Sequence, residues 1–412
     1  MRESAYIINI KLEHVKECWP VKESADEIRE LVLSTGCSIK GEDICRLKKV
    51  NPHCFIGEGK VQEIALEAKG SDVVIFSHDL SAAQQQNIED VAGIKTIDRT
   101  QLILDVFARH ARSSEGKLQV ELAQLNYLLP RLKGKGIMLS RLGGGIGTRG
   151  PGEKKLEIDR RKIRRRIEKL KEELESVKSR RLSLRKKRKQ NEIPLVVLIG
   201  YTNAGKTTLL NALTDSTQAS SESMFTTLDP VSRIYTLPSR QKIIFADTVG
   251  FLNDLPYHLI DSFRATLEEI NEADLILHVL DISHHLTEKR KEAVYSVLND
   301  LGVHDKKIIT VFNKIDKAEH IDRDILSFRY PDSVFISALK STGISGLVEK
   351  IKEALSFYES WLNLFVPDSK ISILEMLGEE NIIERKPGAG GVYIKARVPL
   401  KIRENFCQKL KS

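Results

Sequence analysis

The feature that most constrains this chain is an apolar run that leads directly into a glycine-containing loop, in the segment IPLVVLIGYTNAGKTT at residues 193–208. Leu195–Ile199 is unbroken aliphatic sequence, which is typical of a strand buried on both faces of a parallel sheet. Gly200–Thr207 then satisfies the pattern G-x-x-x-x-G-K-[ST] in full. Because strand, loop and a following helix (TTLLNAL) come in the required order, the segment predicts a phosphate-binding loop in an α/β fold.

The residue types of this loop suit a polyphosphate. Gly200 and Gly205 allow backbone angles and close approaches that a Cβ would prevent, so that consecutive N–H groups can point at phosphate oxygens. Lys206 adds a cation for the β- and γ-phosphates, Thr207 offers a hydroxyl to Mg²⁺, and the helix that begins there presents its positive end. The alternative is a chance match in a glycine-containing turn. The residues predicted to contact the phosphates are Gly200, Tyr201, Thr202, Asn203, Ala204, Gly205, Lys206, Thr207 and Thr208.

A second motif follows the apolar run at 243–246 and reads Asp247-Thr248-Val249-Gly250, a D-x-x-G pattern. Asp247 is placed to hold Mg²⁺ through water, and the Gly250 amide can meet the γ-phosphate. The motif therefore predicts a loop that responds to the presence of the third phosphate.

The remaining motifs identify the base. The apolar run at 307–312 delivers Asn313-Lys314-Ile315-Asp316, in which the Asp316 carboxylate can accept two hydrogen bonds from N1–H and the exocyclic amine of guanine. Adenine lacks this pair of donors, so the motif selects GTP. The apolar run VFI then leads into Ser337, Ala338 and Leu339, whose backbone can approach the guanine oxygen. Each motif is weak alone, but their order, each at the carboxyl end of a predicted strand, indicates a guanine-nucleotide site.

The polar segment SSESMFTTLDP at 220–230 lies between the first two motifs and is where a threonine that closes over Mg²⁺ is expected. We predict Thr227 for this role, with Thr226 as the alternative, and we include Phe225 among the residues near the nucleotide. A surface turn before Pro230 is the competing interpretation. The predicted magnesium ligands are Thr207, Thr227 and Asp247.

The residue after the D-x-x-G motif is unusual for catalysis. Ras-like switches carry there a Gln that orients the attacking water, but this chain has Phe251, which cannot hydrogen-bond to water. The side-chain carbonyl of Asn203 could help to hold K⁺ against the β- and γ-phosphates; the alternative is a hydrogen bond within its own loop. The residues predicted to act in catalysis are Asn203, Lys206, Thr227 and Gly250.

Size and composition limit what surrounds this site. The chain has 412 residues, of which 41% are hydrophobic, so two or three domains with their own cores are expected. No apolar run approaches the roughly 20 residues that span a bilayer, and the first residues lack a signal-peptide pattern. The five cysteines form no C-x-x-C pair, which argues against zinc and disulfides. We expect a cytoplasmic monomer that does not bind DNA.

Between the first α/β stretch and the phosphate loop, apolar residues recur at helical spacing in two long segments. The first is predicted to end at Pro130 and the second to begin near Leu156, so that they form an antiparallel hairpin. The apolar positions of its seam are Leu118, Leu122, Leu125 and Leu129, and Ile163, Ile167, Leu170, Leu174 and Val177. We predict four domains: an α/β subdomain at 1–112, the hairpin at 113–190, the GTPase domain at 191–360 and a small α/β domain at 361–412.

The connection of the hairpin, RLKGKGIMLSRLGGGIGTRGPGE at 131–153, contains six glycines between Gly143 and Gly152 and several cations. Basic runs at 160–166 and 180–189 concentrate much of the net charge of +8. Such a composition suits RNA phosphates. The alternatives are a solvated helix face for the basic runs and a second nucleotide site for the glycine-rich connection.

The segments RLGGGIGTRGPGE, GYTNAGKT, FTTLDP, DTVGF and NKID together resemble the HflX family of ribosome-associated GTPases. The resemblance covers about residues 55–345. It implies a cytosolic GTPase that docks on the large ribosomal subunit and its rRNA, separates stalled or stress-damaged ribosomes, and places its glycine-rich tip near the peptidyl-transferase centre. It also implies that ribosomes stimulate hydrolysis. This chain has Lys154-Lys155 where family members usually carry Thr-Gln, which leaves the role of that pair open.

Two other functions remain as alternatives. An ATP-dependent RNA-remodelling factor would use the N-terminal half, where Gly57-x-Gly59-Lys60 invites comparison with a phosphate site, although a turn before a helix is favoured. A membrane-associated regulator would need an amphipathic or lipidated segment, and no such signal is found.

Overall fold

The computed structural model describes residues 3–13, 19–132, 151–190, 193–214, 231–238, 241–253, 269–318, 323–356 and 359–411. The chain divides into two compact units, and the described residues up to Val177, together with Asn253, belong to the first. Among the described residues, no helix combines the length and the apolar character needed to cross a membrane.

The first unit is built on a four-stranded parallel sheet with the strand order β2-β1-β3-β4. Its strands are β1 Ser4–Leu12, β2 Ser38–Leu47, β3 Val73–Phe76 and β4 Lys95–Ile97. Its helices before the hairpin are α1 Val21–Ser34, α2 Glu58–Glu67, α3 Ala82–Ala92 and α4 Arg99–His110. The central strands β1 and β3 are almost entirely buried, as their largely apolar sequences predict.

Two long helices form the hairpin, α5 Ser114–Arg131 and α6 Pro151–Gln190, and the part of α6 after Val177 belongs to the second unit. Leu122, Ile167 and Leu170 form the buried centre of their contact, and the predicted seam residues from Leu118 to Leu129 and from Ile163 to Leu174 pack around it. Two boundaries differ from the prediction. Helix α5 continues through Pro130 to Arg131, and α6 begins at Pro151 rather than near Leu156.

The second unit contains a six-stranded sheet with the order β10-β9-β8-β5-β7-β6, in which only β6 runs antiparallel to its neighbour. Its strands are β5 Leu195–Ile199, β6 Val231–Thr236, β7 Lys242–Asp247, β8 Leu275–Asp281, β9 Ile308–Asn313 and β10 Ser333–Phe335. Its helices are α7 Lys206–Thr214, α8 Thr287–Asp300, α9 Arg323–Arg329 and α10 Ile344–Ala354. The mostly parallel α/β sheet predicted for the nucleotide domain is confirmed.

A three-stranded antiparallel sheet with the order β11-β13-β12 and a final helix complete the second unit. Its elements are β11 Glu359–Pro367, β12 Ile382–Gly388, β13 Gly391–Pro399 and α11 Leu400–Lys411. The glycine turn predicted within 385–397 connects β12 to β13, and Gly390 there has a φ of +75°. Phe406 of α11 is fully buried against this sheet, and the helix and sheet share one hydrophobic core. This segment is therefore the small C-terminal α/β segment that the sequence predicted.

Candidate nucleotide site

The phosphate loop follows the carboxyl end of β5, which lies in the sheet between the parallel strands β8 and β7. Gly200 has a φ of +152°, and a Cβ on it would lie 2.2 Å from the Val279 carbonyl oxygen. Gly205 has a φ of +92°, and a Cβ there would lie 2.3 Å from the amide nitrogen of Asn313. Both positions therefore require glycine, for the backbone angle and for the close contact alike.

Lys206 is buried beneath the loop, and its ammonium group donates 3.0 Å hydrogen bonds to the backbone carbonyls of Gly200 and Tyr201. Burial lowers the pKa of Lys206 to about 8, and the charge of Asp247 only partly opposes this effect. The site thus holds a cation whose charge is weakly compensated, and an arriving phosphate group would supply that compensation.

Thr207, in the first turn of α7, and Asp247, at the carboxyl end of β7, bring two oxygen ligands together. The Thr207 hydroxyl donates a 2.7 Å hydrogen bond to the Asp247 carboxylate, and both residues are buried. Hard oxygen ligands next to each other are what Mg²⁺ takes, usually together with phosphate oxygens and water. The residues present fit the metal that the sequence predicted.

The D-x-x-G loop lies directly against the phosphate loop. Phe251 donates a backbone hydrogen bond of 3.1 Å to Gly200 and accepts one of 2.9 Å from Thr202, so that the two loops share a short parallel bridge. The Phe251 side chain is buried. A Cβ on Gly250 would meet the Thr202 Cα at 2.9 Å, so this glycine has no room for a side chain.

Asn313 connects three of the predicted motifs. Its side-chain amide donates a 2.9 Å hydrogen bond to the Ala204 carbonyl, and its side-chain oxygen accepts one of 2.9 Å from the Ala338 backbone. Lys314, whose φ is +65°, forms an ion pair of 2.7 Å with Asp281 at the end of β8. These contacts hold the phosphate loop and the base-binding loops in one arrangement.

Asp316 stands half-buried at the predicted guanine position. A hydrogen bond from the Ser337 side chain is the main cause that lowers the pKa of Asp316. The carboxylate is therefore ionised and oriented, as an acceptor of two guanine N–H groups must be.

Several side chains of the predicted site make contacts within the protein. The Thr248 hydroxyl donates a 2.8 Å hydrogen bond to the Leu198 carbonyl, and the Tyr201 ring is buried with the Arg290 guanidinium 4.7 Å from its centroid. Asn203 is exposed with a φ of +60°, and the Leu339 side chain is also exposed. Val249 is buried and Thr208 is half-buried. Phe225, Thr226 and Thr227 lie outside the described residues.

Most of the glycine-rich connection also lies outside the described residues, but its first and last residues are helical. Arg131 binds other residues of the first unit and is not a free cation. It forms an ion pair of 2.8 Å with the fully buried Asp98 and donates to the Leu80 carbonyl at 2.7 Å, while its guanidinium stacks 3.4 Å from the Tyr127 ring centroid. Apart from Tyr127, four residues earlier in α5, the partners come from distant parts of the chain, so no local sequence signal marks the ion pair.

The second phosphate site considered near Gly57 is not supported by its geometry. Gly57 precedes helix α2, and Lys60 forms an ion pair of 2.9 Å with Asp43. The turn before a helix that the sequence favoured is what the structure contains.

Comparisons with known proteins point to GTPases. Three family models match: "GTP-binding GTPase N-terminal" at residues 22–108, "GTP-binding GTPase Middle Region" at 110–188 and "50S ribosome-binding GTPase" at 195–314. A GTPase HflX of Caldanaerobacter subterraneus subsp. tengcongensis is 43% identical over 392 residues, covering 93% of this chain and 90% of that protein. The GTPase HflX of Escherichia coli is 38% identical over 415 residues, covering 99% and 96%.

Among solved structures, the complex of SsGBP with GDP matches at a TM-score of 0.50 and 28% identity, covering 87% of this chain and 99% of that chain. Fold, loop geometry and these matches define a P-loop GTPase, an enzyme that hydrolyses GTP. With curated relatives of this similarity over nearly its whole length, the chain belongs to the HflX family.

Proposed function

We propose that this GTPase binds the large ribosomal subunit and separates stalled or stress-damaged ribosomes, docking in its GTP-bound form and leaving after hydrolysis. The observation that carries the proposal is the match of residues 195–314 to a family described as 50S ribosome-binding GTPases. The nucleotide site is the second support. A factor that docks reversibly needs a bound group whose removal lowers its affinity, and here that group is the γ-phosphate.

Specificity for GTP rests on the ionised carboxylate of Asp316, which Ser337 orients. Magnesium would be held by Thr207 and by Asp247 through water, with Thr227 as the third residue of the set. When bound, the metal neutralises charge that develops on the β- and γ-phosphates. Lys206 supplies charge to the same oxygens, and Gly250 offers its amide to the γ-phosphate.

Phe251 cannot orient the attacking water, so another group has to assist hydrolysis. We assign this role to K⁺ beside Asn203. The Phe251 side chain is buried and its backbone is engaged by Gly200 and Thr202, so it does not position a nucleophile. Asn203 is exposed at the rim of the loop in a conformation that Asn tolerates. K⁺ there would add positive charge at the phosphates. Equal turnover in KCl and NaCl, with Mg²⁺ constant, would refute this role; Asn203→Gly, which suits the positive φ, is the control expected to remove the difference.

The RNA contact would use the basic face of helix α6. Arg161, Lys162, Arg164 and Arg165 are exposed on it, whereas Arg166 is engaged by Glu121 at 2.6 Å. Exposed cations in a row suit a phosphate backbone, and their effect should weaken with salt. A solvated helix face is the alternative.

Co-sedimentation with isolated large subunits tests the proposal. The chain should pellet with subunits in the presence of a non-hydrolysable GTP analogue and remain in solution with GDP, and 70S particles should dissociate only with the analogue or GTP. Replacing Arg164 and Arg165 by Gln should weaken the pelleting and reduce its salt dependence. Equal pelleting with both nucleotides would overturn the coupling, and no pelleting with either would overturn the partner.

A further inference from the structure

The three-stranded sheet near the end of the chain turns one face towards helix α11. Leu362, Ile394 and Ala396 lie on that face and share a buried core with Phe406. Successive side chains of a strand alternate between the two faces of a sheet, so their neighbours in sequence lie on the opposite face. We call that opposite face the outer face. Its described side chains are Trp361, Asn363 and Phe365 of β11, Glu384 and Lys386 of β12, and Tyr393, Lys395 and Arg397 of β13.

The aromatic residues of this segment are concentrated on the outer face. Residues 359–411 contain four aromatic side chains, and three of them, Trp361, Phe365 and Tyr393, belong to the outer face. The fourth, Phe406, lies in the core, which otherwise consists of aliphatic and sulfur-containing residues. Trp361 is 52% exposed and Tyr393 is 57% exposed. Because burial of an aromatic ring is strongly favourable, adjacent rings left in water indicate a binding surface.

The rings form two platforms with a cation between them. The register places Trp361 beside Arg397 and Phe365 beside Tyr393, and Lys395 lies in the row between these two pairs. The Lys395 ammonium is 5.0 Å from the centre of the Trp361 ring, and the Phe365 and Tyr393 ring centroids are 4.8 Å apart. Four positions along β11 separate the two platforms, which corresponds to about 13 Å.

Positive charge predominates on the outer face. Among its described side chains, Glu384 is the one carboxylate, and the cations are Lys386, Lys395 and Arg397. Glu384 forms an ion pair of 2.5 Å with Lys386. The hydrogen bond from Lys386 and the charge of Lys395 lower the pKa of Glu384. The remaining excess of positive charge suits a phosphate backbone.

Alternating rings and cations suit single-stranded RNA better than a protein partner. Unstacked bases stack on aromatic side chains, while lysine and arginine meet the phosphates. The central part of a protein–protein interface is depleted in charged residues, but Lys395 stands between the two platforms here. A duplex keeps its bases stacked on one another, so it would not offer base faces to Trp361 and Tyr393.

We propose that the outer face binds single-stranded RNA, with Trp361 and Tyr393 as stacking platforms and Lys395 and Arg397 as phosphate contacts. This contact is separate from the one assigned to helix α6. It also goes beyond the proposed function, because it requires neither a bound guanine nucleotide nor the separation of ribosomes.

The fluorescence of Trp361 provides a direct test of stacking. The chain contains one other tryptophan, Trp19, which is buried. The full chain without nucleotide is titrated with a short oligoadenylate or oligouridylate, while binding of the same labelled RNA is followed by fluorescence anisotropy. Tryptophan fluorescence should be quenched over the RNA concentrations at which the anisotropy rises. In Trp361→Phe the quenching should disappear although binding persists, because phenylalanine retains a ring for stacking.

Aliphatic substitutions separate stacking from simple apolar contact. Trp361→Leu and Tyr393→Leu retain apolar surface but remove the ring, and each should weaken RNA binding at least about fivefold, as removal of a stacking side chain typically does. These affinities are measured in a chain that also carries Arg164→Gln and Arg165→Gln, so that RNA bound to helix α6 does not conceal the loss.

Lys395→Gln and Arg403→Gln form a matched pair for the electrostatic part. Lys395→Gln should weaken binding and reduce its salt dependence, because one phosphate contact is lost. Arg403 is an exposed cation on helix α11, which packs on the other face of the sheet. Arg403→Gln should therefore bind RNA as tightly as the parent chain. All of these positions are exposed, and melting temperatures measured in parallel verify that the variants fold.

Three results would overturn the proposal. The first is RNA binding without quenching of Trp361. The second is equal quenching by single-stranded RNA and by a duplex or a polyglutamate peptide, which would indicate a general anion or protein surface. The third is an unchanged affinity in Trp361→Leu. None of these results would affect GTP hydrolysis or co-sedimentation with ribosomal subunits, so failure of this contact is distinguishable from failure of the proposed function.

Discussion

The side-chain amide of Asn313 donates a hydrogen bond of 2.9 Å to the backbone carbonyl of Ala204, 109 positions earlier in the chain. The carboxamide oxygen of the same residue accepts a hydrogen bond from the Ala338 backbone. One buried side chain thus joins the loop that is predicted to hold the phosphates to the loop that is predicted to meet the base.

Replacing Asn313 by Ala should weaken GDP and GTP binding by similar factors. The change leaves the Ala204 carbonyl and the Ala338 amide without their partner, and each unsatisfied buried group costs about 1–3 kcal/mol. The free protein bears most of this cost as well, and the misplaced loops carry the remainder into binding. We expect both affinities to fall about 10- to 100-fold, which corresponds to about 1.4–2.8 kcal/mol, because roughly 1.4 kcal/mol corresponds to a factor of ten. Isothermal titration measures both, and the exposed Asn299→Ala on α8 serves as the control. An effect confined to one nucleotide would contradict this role.

Nucleotide binding should depend on pH above about 8. Lys206 has a pKa of about 8 in the ligand-free protein because it is buried, and bound phosphate stabilises its charged form. Below that pH the lysine is already protonated and affinity is constant; above it, binding requires proton uptake, and affinity falls by up to about tenfold per pH unit. Titrations of GDP binding between about pH 7 and pH 9 would show the break.

Lys206→Arg is the control for that experiment. A guanidinium stays charged throughout this pH range, while titration of guanine affects both proteins equally. If the variant binds GDP and shows the same decline as the wild type, the decline does not come from Lys206.

Replacing Asp316 by Asn should exchange the base preference. Asn presents one acceptor and one donor where Asp presents two acceptors, so it no longer matches both N–H groups of guanine but matches xanthine, which carries an oxygen in place of the amine. We expect GTP affinity to fall at least about 100-fold and binding of xanthosine triphosphate to appear, since hydrogen bonds to charged groups contribute about 1.5–3 kcal/mol each. Competition against a fluorescent GDP analogue measures both changes. Ser337→Ala, which releases the carboxylate and also removes the acceptor of the Lys340 backbone N–H, should give a smaller loss without any gain.

Phe251→Gln should not create a Ras-like catalyst. The side chain at this position is buried, and the backbone on both sides is hydrogen-bonded to the phosphate loop, so a glutamine there would bury an amide instead of reaching a water. We expect a lower melting temperature and a kcat that stays within about threefold of the wild type, because an uncompensated buried amide costs about 1–3 kcal/mol of stability and gains nothing in the transition state. Single-turnover hydrolysis measures the rate. An increase of tenfold or more would mean that the loop opens during catalysis.

Local sequence sufficed to predict the central strands of the GTPase domain, because each short motif proposed to bind nucleotide follows a buried strand. Leu195–Ile199 and Ile308–Asn313 are almost entirely buried on both faces, and each ends at a motif that is proposed to bind nucleotide. Such strands cannot be exposed without a large hydrophobic penalty, so their place in the middle of a sheet was predictable.

The sheet edges were not predictable by the same argument. Ser38–Leu47 contains charged residues throughout and buries only Cys45, and Val231–Thr236 is similarly exposed. Both lie at the edge of their sheets, where one side of the strand needs no apolar partner. Their pairing depends on backbone hydrogen bonds, which leave no pattern in the sequence.

Contacts across the chain were out of reach for a different reason. Arg99 meets Glu27 over 72 positions and Asn253 over 154, and each residue taken alone looks like an ordinary surface charge or amide. Only the folded arrangement removes them from water and gives the pairing its energetic weight.

The ion pair between Arg131 and Asp98 determines how the end of helix α5 responds to force. Helix α5 does not end in a frayed turn: its final arginine is anchored to a carboxylate at the start of α4, beside the first sheet. A force applied to the chain just after Leu132 is therefore transmitted directly to the body of the first unit. The end of α5 does not unwind or bend first.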